Sequence, residues 1–547
     1  MAEVVFAGGS VVTVAGERPE EEALAMRDGR IVAVGDREEV LAGRAPDAIV
    51  VDLAGGALLP GFVEAHGHPL QVAETLAPPA LDVRPFGTPT AEGVERHMHE
   101  AVRGAGPGEP LVFFGIDVLL QQGLRLPSMT SLDELAPDNP VVVIANSGHA
   151  AYGNSLAFRA AGITRNTRDP IGAEYVRGPN GELTGEAREA AAVLALAMPS
   201  MNSKGGDLAA KLLWACEQYA EAGITTVTEM AYDPRTQDAL TGLAAQPDFP
   251  VRLRVYEMGT PELAADPDHK PGQPAPIEAL FGQTGMKLWA CGSPWQGNVA
   301  TSFPYLDTPA THAMGLEPHH RGGLNYTPEQ ILELATGFNR QGWQLACHVH
   351  GDLGVDVVLD AYEAALQDAP RQDHRLRLEH CGAMTAEQFD RAARLGVTVS
   401  LFIQHVYYWG DVLVDGLFGQ EHGAPWMATR SALDNGLRVS FHNDGFVTPA
   451  DPLGNIATAV TRRARGSGRV LAPEQRIAVD EAIRAQTLDA AWQVQLEREI
   501  GSLEVGKRAD LIVLSANPRS VNPDEIGDIE VRATFLGGRQ TSGESLG

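Results

Sequence analysis

Cysteine is scarce in this chain. Among 547 residues there are four, Cys216, Cys291, Cys347 and Cys381, and none falls in a CxxC spacing. That excludes a disulfide scaffold and a thiolate zinc finger, and fits a reducing compartment. Positive charge is short as well: 42 lysines and arginines stand against 71 acidic residues, a net charge of −29. So acidic a surface repels phosphate backbones and anionic lipid, which argues against nucleic-acid and polybasic membrane binding. Long hydrophobic runs are missing too. "LVFFGIDVLL" is far too short to span a bilayer, and the opening "MAEVVFAGGSVVTVAG" lacks the basic and apolar regions of a signal peptide. There is no internal repeat and no low-complexity tract. These absences predict a soluble, cytoplasmic protein with neither nucleic acid nor membrane as partner, which leaves a small molecule open as one.

What is present is a large apolar content, 44% of residues, enough for one big catalytic domain and a smaller one. Residues 1–58 read as a β-meander of β-branched runs broken by Gly and Asp-Gly turns, and residues 493–547 have the same texture. The two ends are therefore expected to meet in one small β-sandwich. Between them, over 59–492, strand-like runs alternate with amphipathic stretches such as "TPEQILELATGFNRQG". The runs "GFVEAH", "GITTVTEM", "VRLRVYEM", "GMKLWAC", "WQLACHVH", "LRLEHCG", "VTVSLFIQ" and "LRVSFHND" make eight. Eight β/α alternations predict an α/β fold, a (β/α)8 TIM-like barrel with its chemistry at the C-terminal strand ends. The stretch at about 70–220 is too long for one crossover and is read as an inserted subdomain over the barrel mouth.

Those strand ends carry the chemistry. They deliver His66 and His68, then Lys287, His348 and His350, Glu379 and His380, and finally Asn443 and Asp444. Residues two apart share a face of a strand, so His66 and His68 can grip one ion. Neutral imidazoles with a carboxylate suit Zn2+ or another borderline divalent metal. Lys287 is costly in an apolar strand unless paired or neutralised. By the same alternation Glu379 should face away from the axis, His442 should lie one step below Asp444, and Cys347 and Cys381 should pack outward. Cys291 shares the parity of Lys287 and should face the mouth. His350 shares the face of His348, so either can ligate. His149 in "NSGHAAYGN" is a candidate substrate contact; Trp289, Trp295 and the "HVYYWGD" cluster with His405 and Trp409 are candidates for an apolar pocket wall.

"LLPGFVEAHGHP" and "IGSLEVGKRADLIVLSANP" resemble signatures of the metal-dependent amidohydrolase superfamily. "GHAAYGNSLAFRAAGI", "MKLWACGSPW", "HVHGDLGVDVVLDAYEAA", "RLEHCG", "HVYYWGD" and "HNDGFVTPADPL" resemble its YtcJ-like branch, which includes N-substituted formamide deformylases. The resemblance implies His66 and His68 as ligands of the more buried metal and His348 and His380 as ligands of a second. It implies Lys287 as a carbamate shared by both, and Asp444 as ligand and proton shuttle. It favours His348 over His350, and it makes Cys291 a departure, since relatives often carry aspartate there. The implied activity is metal-dependent hydrolysis of a non-peptide C–N bond, in a linear or N-substituted amide with an apolar or aromatic group. A mononuclear deaminase of a cyclic amidine and a non-catalytic regulatory relative are the alternatives. A homo-oligomer is compatible with the family.

Overall fold

The computed structural model describes residues 3–16, 18–203, 207–273 and 275–545. Eight parallel strands follow one another in chain order: Phe62–Glu64, Ile224–Tyr232, Arg252–Met258, Phe281–Trp289, Gln344–Val349, Arg377–His380, Thr398–Leu401 and Val439–Phe441. They coincide with the eight runs read from the sequence. Nearly every residue in them is buried, as strands covered on both faces require. The first and eighth strands end the hydrogen-bonded path, and Asn443 N donating to Glu64 Oε1 (2.5 Å) bridges the gap between them. The result is a nearly closed barrel. Helices jacket it; Pro328–Gln341 starts on a Thr327 capping box and stops at Gly342 in the left-handed region (φ 99).

The two chain ends do combine, in one hydrogen-bonded mixed sheet that curls on itself: Phe6 and Phe535, three strands apart along it, meet edge-on with ring centroids 5.5 Å apart. Strand Ala57–Pro60 pairs antiparallel with Leu511–Leu514, joining N-terminal to C-terminal strands. The sheet forks at strand Val4–Val12, which pairs first with Ile49–Asp52 and then with Ala57–Pro60. Gly8 (φ 83) makes the fork possible, because a Cβ there would collide with Asp52. The segment between the first two barrel strands builds its own six-stranded sheet, from Leu81 to Arg188. Helices Ala190–Ser203 and Leu208–Glu221 then return the chain to the barrel. Trp409 Nε1 donates to Asp117 Oδ2 (2.9 Å), tying the seventh barrel strand's helix to this insertion. No helix among the described residues is long and apolar enough to cross a membrane.

Candidate metal centre

The first strand ends just before His66 and His68, whose rings lie at the barrel rim. Their Nε2 atoms converge on Asp444 Oδ1, at 3.4 and 3.3 Å. These three residues offer ligand atoms within 4.8 Å of one another; so do His348, His350 and His380, and so do His66, His380 and His442. The first two groups share no member, so the rim holds donors enough for two ions. Lys287 Nζ lies 3.0 Å from His66 Nε2 and 5.3 Å from the Trp289 ring.

Behind the rim, carboxylates fix which nitrogen faces inward. Glu379 Oε2 is 2.6 Å from His66 Nδ1, and Glu229 Oε1 is 3.3 Å from His68 Nδ1. An ionised carboxylate can only accept, so Nδ1 carries the proton and Nε2 keeps its lone pair for the centre. Arg377 holds Glu379 with two bonds, Nε to Oε1 at 2.8 Å and Nη2 to Oε2 at 2.9 Å. His442 Nε2 meets His380 Nδ1 at 3.0 Å, and the Ser400 hydroxyl meets His442 Nδ1 at 2.8 Å. His380 Nε2 and His350 Nδ1 are buried without any hydrogen-bond partner, and Asp444 Oδ1 has only the long approaches of His66 and His68. Polar atoms left so poorly satisfied in one small volume are costly. A divalent cation would satisfy them, and the donor set of imidazoles and a carboxylate fits one.

Electrostatics keep the imidazoles in the neutral form that ligates. Burial, reinforced by neighbouring cationic groups, holds His66, His348 and His380 well below the usual histidine range. Burial takes His350 and His442 down to about 3. For His68 burial works downward too, but Asp444 and Glu229 outweigh it and the ring ends above its usual value. Burial would raise Asp444, yet the hydrogen bond and charge of His68, with His442 and Lys287, hold it below the usual carboxylate value. Desolvation lowers Lys287 to about 8 against the pull of Glu379 and Asp444.

A stability consequence follows for the metal-free protein. His350 and His442 titrate near 6.5 when unfolded and at about 3 when folded. Across that window the unfolded chain binds more protons, so stability is full above about 6.5 and is lost progressively as pH falls toward about 3. Urea midpoints of the metal-free chain should therefore drop between about pH 6.5 and about pH 4; a flat profile would contradict the buried neutral rings.

One cavity opens at this centre and a larger one lies beside it. A small chamber of about 20 Å3 is lined by His149, Ser293, His348, His350, His405 and Asp444 among others. A larger cavity of about 480 Å3 runs outward between the insertion and helix Ala190–Ser203, past Phe114, Val193, Met198, Trp289 and Phe446. His149 lines both.

The amidohydrolase family model matches residues 49–542. This chain belongs to the amidohydrolase family. It is 30% identical to the N-substituted formamide deformylase of Arthrobacter pascens, over 98% of both chains. It is 27% identical to the YtcJ protein of Bacillus subtilis (strain 168), again over 98% of both. Its fold matches that of an uncharacterised metal-dependent hydrolase from Pyrococcus horikoshii OT3 with a TM-score of 0.71, at 21% identity, covering 95% of this chain and 99% of the other.

The structure of this amidohydrolase corrects three expectations. Glu379 faces inward, on the same face of its strand as Arg377, which holds it; the left-handed residues are His380 (φ 71) and Cys381 (φ 56), and it is His380 that leaves the alternation to reach the rim. Cys291 does not face the mouth: its buried sulfur accepts His350 N at 3.3 Å, and burial pushes the thiol up, away from thiolate. It belongs to none of the three ligand groups and lines neither cavity. Trp409 is no pocket wall either, since it is buried and stacks on Trp295 at 4.7 Å. Trp289 does line the apolar cavity, and His405 the small chamber.

Sequence reasoning missed Glu229, Arg377 and Glu189. All three are buried polar residues; Glu229 sits inside a strand otherwise apolar or β-branched, and Arg377 opens the buried strand Arg377–His380. Charges in such runs are costly unless paired, and that cost was the available signal.

Proposed function

We propose that this amidohydrolase is a metal-dependent hydrolase of an N-substituted amide with a small acyl group, of which a formamide is the simplest case. The observation that carries it is a small chamber of about 20 Å3, lined by the candidate ligands His348, His350 and Asp444, that shares His149 with an apolar cavity of about 480 Å3. The smaller volume admits little beyond a formyl group or a water, since one water needs roughly 10–15 Å3. The larger lies within the range that buries a drug-sized ligand, about 300–1,000 Å3. The substrate named for the Arthrobacter relative, an N-substituted formamide, has this shape.

His66, His68 and Asp444 would hold one ion and His348 and His380 a second, with His350 as a further donor. Lys287 would serve both as a carbamate, formed by addition of CO2 to its neutral amine with loss of a proton. Desolvation, which lowers its pKa to about 8, makes that neutral amine accessible. A bound divalent ion supplies Lewis acidity, which acidifies water at the site and polarises the carbonyl. Asp444, held as a carboxylate among His66, His68 and His380, takes the proton of the attacking water and returns it to the departing nitrogen. Amide and water thus become a carboxylic acid and an amine. The burial of the rim keeps bulk water from competing for these contacts. Two ligand groups without a shared member favour two ions over the single ion of a deaminase.

A screen of N-alkyl formamides, acetamides, carbamates and aminated heterocycles against the zinc-loaded chain tests the reading. Formamides with apolar N-substituents should be hydrolysed fastest; turnover of the heterocycles alone would favour the deaminase. Lys287→Ala should lower bound metal from about two ions to about one or none per chain. Two ions with undiminished turnover would remove the lysine from the centre.

A further inference from the structure

Glu189 belongs to neither ligand group, yet it is buried and takes a left-handed backbone (φ 66). Such a conformation in a non-glycine residue persists only where its surroundings over-determine it. Here the surroundings are three donors. Asn298 Nδ2 reaches Oε1 at 2.7 Å, while His149 Nδ1 and Asn325 Nδ2 reach Oε2 at 2.8 and 3.2 Å. Gly292 leaves room for the carboxylate, which a Cβ at that position would strike. Three donors on two oxygens call for a carboxylate, because a glutamine would set its own N–H against one of them. An ionised carboxylate accepts only. The proton of a neutral His149 therefore sits on Nδ1, and Nε2 presents a lone pair with no partner among the described residues.

His405 is set the opposite way. The Trp426 indole can only donate, and its Nε1 reaches His405 Nδ1 at 3.2 Å. The proton of His405 must then lie on Nε2. Both rings line the small chamber beside Asp444, but of the two only His149 also borders the apolar cavity. So the chamber carries a fixed donor, His405, on a wall of its own and a fixed acceptor, His149, on the boundary it shares with the apolar cavity.

A trans secondary amide presents its carbonyl oxygen and its N–H on opposite sides. Resting on the amide-hydrolase reading above, we propose that His405 Nε2–H donates to the scissile carbonyl oxygen and His149 Nε2 accepts the scissile N–H. Glu189 and Trp426 are positioning residues that set the two tautomers. The acceptor at the boundary places nitrogen there, which puts the N-substituent in the apolar cavity and the acyl group in the chamber. The substrate is then an N-monosubstituted amide, and a tertiary amide, with no N–H, is refused.

Saturation kinetics of the zinc-loaded full chain with N-hexylformamide, and with N-hexyl-N-methylformamide as second substrate or competitive inhibitor, test this. The secondary amide should bind about tenfold tighter, the worth of one hydrogen bond at a site that otherwise leaves its acceptor unpaired. In Glu189→Gln the preference should fall to near unity, and His149→Ala should lose it likewise should the first variant melt early. Histidine 15N spectra give a readout free of turnover: the wild type should show His149 protonated at Nδ1, and Glu189→Gln should mix the tautomers. Equal binding of the two amides by the wild type, binding of neither, a preference that survives both variants, or His149 protonated at Nε2 would each overturn the proposal. Metal content of the same samples separates the failures. A metal-loaded chain that fails these tests overturns only the histidine pair, whereas a chain that takes up no metal overturns the hydrolase reading with it.

Discussion

Replacing Asp444 by Asn should lower kcat by about 10²–10⁴, the usual worth of a positioned acid–base group, while leaving the fold intact. The substitution is nearly isosteric. Asp444 has a left-handed backbone (φ 50), which asparagine tolerates as well as aspartate does, so no new strain arises. What disappears is the negative charge that faces His66 and His68 Nε2 at 3.4 and 3.3 Å and His380 Nδ1 at 3.9 Å. An amide oxygen can still approach a cation, so metal loss should be smaller than activity loss. The check is kcat against a formamide alongside metal content and melting temperature. Unchanged turnover with metal retained would remove Asp444 from proton transfer.

Replacing Arg377 by Met should be the most destabilising single change at the centre, by about 3–5 kcal/mol, because it strands a buried carboxylate. Arg377 and Glu379 are both fully buried and joined by two short bonds, and Arg377 Nη2 also donates to Ala65 O at 2.9 Å. Losing the arginine frees Glu379, and Glu379 orients His66. Metal affinity should therefore fall by about 10–100-fold as well, the usual effect of removing a group that orients a ligand. A double change, Arg377→Met with Glu379→Leu, separates the two effects. It should recover much of the stability, since no unpaired charge remains, but not the affinity. Urea unfolding and zinc titration of the two variants measure both; full metal affinity in the double variant would deny Glu379 its orienting role.

Much of this arrangement is legible in the sequence, and the illegible parts have physical causes. The barrel can be read because its strands are short, mostly buried runs, five of which carry a His, Lys or Asp at or near their ends, and period-two alternation then places His66 beside His68. That alternation fails where the backbone leaves the β region. His380 and Cys381 turn left-handed, so His380 joins the rim although Glu379, one residue earlier, already faces inward. Cys291 misleads for a related reason, since its strand proper ends at Trp289 and parity beyond that point means little. The fork of the terminal sheet depends on Gly8 meeting Asp52, a contact between segments that no local pattern announces. The Glu189 network is similar: its partners His149, Asn298 and Asn325 are brought together only by the fold.

In the proposed function this rim of histidines, lysine and aspartate is a two-ion centre. The metal content of the full chain after saturation with zinc and removal of the excess, measured by mass spectrometry beside His380→Ala, reads this directly. About two ions per wild-type chain are expected, and about one fewer in the variant. A wild-type chain that binds no metal, or a variant that binds as much as the wild type, would contradict that reading.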